Sequence, residues 1–192
     1  MSRDVGTIFR EVAANFHAVA ESAYLESIRR ATDALHNAFA SGHKLLVFGN
    51  GGSSTDAQHL SAELVGRFMA ERRPLPAIAL TTNQAILTAW SNDHSFESVF
   101  ARQIEALGAA GDVAMGISTS GKSANVLAAL RCARERGMTT IGVTGASVDA
   151  MSELCDVMLS VPLSDTARIQ EIHLVTYHAI CEALEERLLR NS

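Results

Sequence analysis

Residues 44–54 read KLLVFGNGGSS, and residues 113–123 read VAMGISTSGKS. Each is a short apolar run that breaks into glycines and small hydroxyl residues. A run of about five apolar residues bounded by turn residues predicts a buried strand. Outward from these two lie three more such runs, Ala77–Leu80, Thr139–Val143 and Val157–Val161. Amphipathic stretches separate them, over 54–69, 84–106 with a break near Asn92-Asp93, 122–136 and 149–154, and a long last helix is predicted over 166–190. Strands that alternate with helices form right-handed βαβ units and a parallel sheet covered on both faces. The predicted class is therefore α/β, a doubly wound five-stranded parallel sheet with the flavodoxin-like order 2-1-3-4-5. Ahead of it, Ile8, Val12, Phe16 and Val19, then Leu25, Ile28, Leu35 and Phe39, recur at helical spacing until Ser41-Gly42. These predict two extra N-terminal helices over residues 1–41. They precede an α/β core over 42–192, complete without them, so they are expected to pack between subunits.

The chain has 192 residues, 47% hydrophobic and 19% charged, which suits one domain with a sizeable core. A net charge of −5 gives no electrostatic footprint for nucleic acid or anionic membrane. Cys132, Cys155 and Cys181 lack metal or disulfide spacing. No segment resembles a signal peptide or a membrane span, so a reduced, cytoplasmic setting is expected.

In a doubly wound sheet, ligands bind beyond the carboxyl ends of the strands, where the order reverses between strands one and three. The two glycine-serine loops follow those two strands. Their glycines permit positive φ and close approach to a ligand. The first amides of the following helices are free to hold an anion. The hydroxyls of Ser53, Ser54, Ser118, Thr119, Ser120 and Ser123 add neutral donors suited to a phosphate that must leave again. Residues 116–123, GISTSGKS, also match the P-loop pattern. A P-loop enzyme needs a carboxylate at a strand end to help hold magnesium, but the other strands lead into Gly49, Thr81, Thr144 and Pro162. A dinucleotide fingerprint fails too, because GNGGSS lacks the third glycine and Thr81-Thr82 stand where an acid would hold a ribose.

His59 and Glu63 lie four apart on the helix after the first loop, one turn apart on one face. An imidazole and a carboxylate so placed can share a divalent ion, with zinc the natural choice. Glu63 could equally pair with Arg67, and Arg67 could instead face a phosphate. On the last helix, Gln170 and His178 stand among Ile169, Ile172, Val175, Ile180 and Leu184. Eight residues put those two roughly 12 Å apart along the axis, so spacing alone does not make a four-ligand site.

The segments GNGGSSTDAQHLSAELVGRF (49–68), ERRPLPAIALTTN (71–83), Asn92-Asp93, GDVAMGISTSGKSANVLAA (111–129) and RIQEIHL (168–174), with His178 beyond, occur in the order and spacing of a known family. The chain resembles the phosphoheptose isomerases, which have the SIS, or sugar isomerase, fold. The resemblance implies conversion of sedoheptulose 7-phosphate to D-glycero-D-manno-heptose 7-phosphate on the way to the heptose of bacterial surface glycans such as lipopolysaccharide or capsule. It implies a homotetramer with interfacial active sites. It also implies zinc held by His59, Glu63, Gln170 and His178, and sugar contacts at Asn50, Gly51, Gly52, Ser53, Glu63, Asn92, Asp93, Ser118, Thr119, Ser120, Ser123 and Gln170. Isomerisation through an enediol needs a base and an acid, and Glu63 and His178 fill these roles.

The alternative is a non-catalytic SIS protein like the one that binds the replication initiator DnaA. That protein lacks the acid/base pair at the positions of Glu63 and His178. His17, His36, His43, His94 and His173 show no partner pattern, and most are expected to be exposed.

Overall fold

The computed structural model describes residues 4–190. Five strands, β1 (Leu45–Gly49), β2 (Ala77–Ala79), β3 (Val113–Ile117), β4 (Thr139–Thr144) and β5 (Val157–Ser160), form one sheet in the order β2-β1-β3-β4-β5. Every pairing is parallel, as the alternation of elements predicts. Eight α-helices are described: α1 (Val5–Ala20), α2 (Tyr24–Ala40), α3 (Gly52–Val65), α4 (Gln84–Asp93), α5 (Val99–Leu107), α6 (Ala124–Glu135), α7 (Asp149–Ser152) and α8 (Thr166–Arg190). The break expected near Asn92-Asp93 is real: α4 ends at Asp93, and a short 3-10 turn over Phe96–Ser98 leads into α5. Strand and helix ends otherwise shift by one or two residues, except at α3. That helix begins on the loop glycines rather than at 54, and it stops at Val65 rather than running to 69.

The strands are buried on both faces, so their alternate side chains feed two cores. Leu45, Val47, Val113, Met115 and Ile117 meet α2, α3 and α8 on one side. Leu46, Phe48 and Ala114 meet α5 and α6 on the other. This adds to the expectation for the leading helices. α2 lays Tyr24, Ala31, Leu35 and Phe39 into the first core beside β5 and α8, so it is a layer of its own domain. The reason is coverage: α3 and α8 leave the β5 side of that face open, and α2 closes it. The histidine expectation needs correcting. His173 is fully buried, with Nε2 3.2 Å from the Thr144 carbonyl, and burial pulls its pKa down to about 4. His36 and His43 are half-buried.

At the amino end of the sheet, Asp112 receives Lys44 Nζ at 2.6 Å and the Lys44 and Ala109 amides at 3.0 and 2.8 Å. Burial pushes this carboxyl up, but the Lys44 ammonium and the amides outweigh burial and hold it below its ordinary 3.8. Its folded value is thus depressed, so its contribution is complete above pH 3.8 and is lost as pH falls through the lower folded value. Asp112→Ala should cost about 3 kcal/mol at neutral pH in urea denaturation. The gap from wild type should close on acidification. A gap that widens in acid would refute the assignment.

Candidate active site

Gly49 pairs with Ile117 at the ends of β1 and β3, so Asn50 and Ser118 leave the sheet side by side. Each loop then turns on a left-handed glycine, Gly51 with φ 56° and Gly121 with φ 66°. The positive φ at Gly51 lets α3 start at once on Gly52. In the second loop Ser118 Oγ lies 2.9 Å from Ser123 Oγ and 3.4 Å from Ser120 Oγ, and the Lys122 amide donates to Ser120 Oγ at 3.3 Å. Ser53 and Ser118 are buried, Thr119 and Ser123 are half-buried, and Ser120 is exposed.

A reciprocal amide pair ties the loops together. Asn50 Nδ2 donates to Asn125 Oδ1 at 2.8 Å, and Asn125 Nδ2 donates back to Asn50 Oδ1 at 2.9 Å. Asn125 is buried on the first turn of α6. Beside the pair lies an open pocket of about 360 Å³ lined by Asn50, Phe96, Glu97, Ser123, Ala124 and Asn125. Asp112 and Asp156 stand at the other, amino ends of β3 and β5, and β1, β3 and β4 end on Gly49, Ile117 and Thr144. The carboxylate that a P-loop enzyme requires is therefore not on this edge.

α3 and α8 pack against each other on one face of the sheet. Gly52 abuts the Gln170 side chain, whose amide occupies the place where a Cβ would project. Farther along both helices, His59 Nε2 lies 3.1 Å from Glu63 Oε1, and the His59 and His178 rings meet edge-on with centroids 5.2 Å apart. The Phe68 ring also meets His178, with centroids 5.1 Å apart. His59 thus touches both Glu63 and His178, while Gln170 stands at the first glycine loop. Asn92 and Asp93 stand exposed at the end of α4, where Asn92 Nδ2 donates to Asp93 Oδ1 at 2.9 Å. Arg67 pairs with Glu71 at 3.1 Å rather than with Glu63, because it sits past the end of α3, where helical spacing no longer holds.

The donors fit zinc in kind: two imidazoles, a carboxylate and an amide oxygen. Among the described residues, however, no group of three or more His, Cys, Asp or Glu side chains is close enough to enclose an ion. One residue that spacing could have revealed is Asp56, three before His59 and seven before Glu63, on the same helical face. Burial raises its pKa to about 6, against the pull of His59. Its Oδ2 and the Tyr177 hydroxyl are buried without a hydrogen-bond partner among the described residues.

The comparisons agree with this fold. The family model described as the SIS domain matches residues 8–145. The phosphoheptose isomerase of Bradyrhizobium sp. (strain ORS 278) is 52% identical over 183 residues, covering 95% of this chain and 92% of that one. The phosphoheptose isomerase structure from Neisseria gonorrhoeae superposes with a TM-score of 0.89 at 40% identity, covering 95% of this chain and 97% of that one. The corresponding structure from Francisella tularensis gives 0.90 at 36% identity, covering 95% and 96%. A chain with this sheet order, these paired loops and these relatives belongs to the SIS domain family, and within it to the phosphoheptose isomerases.

Proposed function

We propose that the protein interconverts sedoheptulose 7-phosphate and D-glycero-D-manno-heptose 7-phosphate. One observation carries the proposal: α3 starts in a loop suited to phosphate and carries, two turns on, the His59–Glu63 pair facing His178. Along α3, His59 stands seven residues and Glu63 eleven residues from Gly52, about 10 and 16 Å of helix rise. The hydroxyls of Ser118, Thr119, Ser120 and Ser123, with the free amides of the helix starts, hold the phosphate without a fixed positive charge. Asn50, Gly51, Gly52, Ser53 and Gln170 line the path from there towards His59, and Asn92 and Asp93 complete the sugar contacts.

For the ketose, Glu63 takes a proton from C1 while His178 donates one to the C2 carbonyl oxygen, giving an enediol. Glu63 then returns its proton to C2, and His178 recovers one from the C1 hydroxyl as the C1 carbonyl forms. No atom is lost, and both residues end as they began. Zinc, held by His59, Glu63, Gln170 and His178, would supply a positive charge beside the oxygen that becomes negative. Coordination and base duty compete at Glu63, so its carboxylate serves one at a time.

The test is incubation of the purified protein with sedoheptulose 7-phosphate and identification of the product, with and without a chelator. We expect the heptose phosphate to form, turnover to fail with chelator, and turnover to return on adding zinc. Absence of product with zinc present would overturn the reaction, and full activity in chelator would overturn the metal. The alternative, a non-catalytic DnaA-binding protein, gains no support, since the chain keeps both acid/base candidates and its relatives are phosphoheptose isomerases. A cytoplasmic setting is part of the proposal; among the described residues no helix is long and apolar enough to cross a membrane. A homotetramer fits the apolar side chains left open on α1 and α8, with Phe9 73% and Val175 49% exposed. Sedimentation equilibrium checks it.

A further inference from the structure

Residues 66–76 connect α3 to β2, and their first half is held by one buried ion pair. Glu185 on α8 accepts from the amides of Phe68, Met69 and Ala70 at 2.8, 2.9 and 2.9 Å. Arg72 Nε lies 3.2 Å from Glu185 Oε1, with both side chains almost wholly buried. Nε makes no aligned hydrogen bond there, so the contact is one of charge. The rest of the Arg72 guanidinium turns towards α3. Nη2 donates to the Glu63 carbonyl at 2.6 Å, and Nη1 donates to the Leu64 and Gly66 carbonyls at 2.8 and 3.1 Å. Carbonyls at a helix end lack partners within the helix, and a cation there also suits the helix dipole.

We propose that Arg72 and Glu185 are positioning residues for the isomerisation, their buried pair fixing the spacing between Glu63 on α3 and His178 on α8. Arg72 grips Glu63 by its own backbone. Glu185 stands seven residues, two turns, from His178 on the same side of α8. It holds Phe68 by its amide, and the Phe68 ring lies 5.1 Å from the imidazole of His178. The chain of contacts closes through His59, which touches both His178 and Glu63. Apolar residues of similar volume could fill this joint without the cost of burying two charges. What they could not supply is the set of directed bonds to three amides and four carbonyls, those of Glu63, Leu64, Gly66 and Arg73. Proton transfer is sensitive to such placement, since a misplacement of about 1 Å costs about 10²-fold in rate.

The proposal rests on the isomerase reading, and two measurements separate them. The first is steady-state kinetics of Arg72→Lys and Glu185→Gln. Lysine keeps the charge but loses the planar fork. We expect kcat to fall about 10- to 100-fold, with KM within about twofold because the phosphate loops are untouched. The second measurement needs no turnover. The His178 imidazole resonance, identified by its loss in His178→Ala, should move in both single variants as Phe68 shifts against the ring. Should Glu185→Gln fail to fold, Arg72→Lys carries both readouts. Wild-type kcat in a folded variant, a change confined to KM, or an unmoved His178 resonance would each overturn the positioning role. If the wild-type protein leaves the heptulose phosphate unchanged, the isomerase reading fails, and the resonance alone decides whether the pair sets the place of His178.

Discussion

Glu63→Gln is expected to lower kcat by about 10²- to 10⁴-fold, the usual contribution of a positioned general base. Glutamine keeps the length and shape of the side chain but cannot accept a carbon-bound proton. The fold should survive, because the Glu63 side chain is a quarter exposed and its side-chain hydrogen-bond partner among the described residues is His59, itself 41% exposed. KM should change much less, since the phosphate is held at the far end of α3. His178→Ala should lose activity on the same scale, with a somewhat larger effect on stability, because it opens a gap between His59 and Phe68. Turnover of sedoheptulose 7-phosphate, alongside a thermal melt of each variant, checks both. A folded Glu63→Gln protein with undiminished kcat would remove Glu63 from the chemistry and with it the proposed mechanism.

Gly49→Ala is the second large effect, and it acts through the backbone. Gly49 is the last residue of β1, where the two loops part. A Cβ there would meet the Ile117 carbonyl oxygen at 2.8 Å, the Ser53 Cβ at 2.8 Å and the Ser53 carbonyl oxygen at 3.0 Å. Two of the three obstacles are backbone atoms, one on the neighbouring strand and one in the first turn of α3, so neither can rotate away. Forcing an extra carbon into such a place costs about 1–3 kcal/mol. In a chain of this size each kcal/mol lowers the melting temperature by about 2–4 °C, so a drop of a few degrees to about ten is expected. Because the push separates β1 from β3, the spacing of the loops should suffer too, and phosphate affinity should fall with stability. Gly52→Ala makes the contrast. Its main obstacle is the end of the Gln170 side chain, which can swing aside, so it should spare stability. Equal melting temperatures for wild type and Gly49→Ala would show that β1, β3 and the start of α3 have room for a methyl group at Gly49.

The sheet and both loops could be read in advance because their signals are local. Val113–Ile117 is an uninterrupted apolar run, and Gly121 follows within four residues. The two-turn separation of Gln170 from His178 was likewise legible, since it needs only the helical repeat. What escaped were pairings between residues far apart in the chain. Nothing in the spacing of Asn50 and Asn125, or of Arg72 and Glu185, marks them as partners, because the fold alone brings them together. The placement of α2 escaped for a related reason. The positions of Leu35 and Phe39 announce an apolar face, but the surface that covers it depends on what α3 and α8 leave bare. Arg67 shows the reverse hazard: its spacing from Glu63 invites a helical pair, but α3 has already ended.

The clasp between Asn50 and Asn125 has a consequence for behaviour in acid. Two carboxamides neither gain nor lose a proton between pH 4 and 9, so the latch between the turns is silent to titration. An aspartate–lysine latch in its place would slacken as its carboxylate took up a proton. The grip should therefore owe its acid limb to the bound group itself, whose second ionisation falls near pH 6.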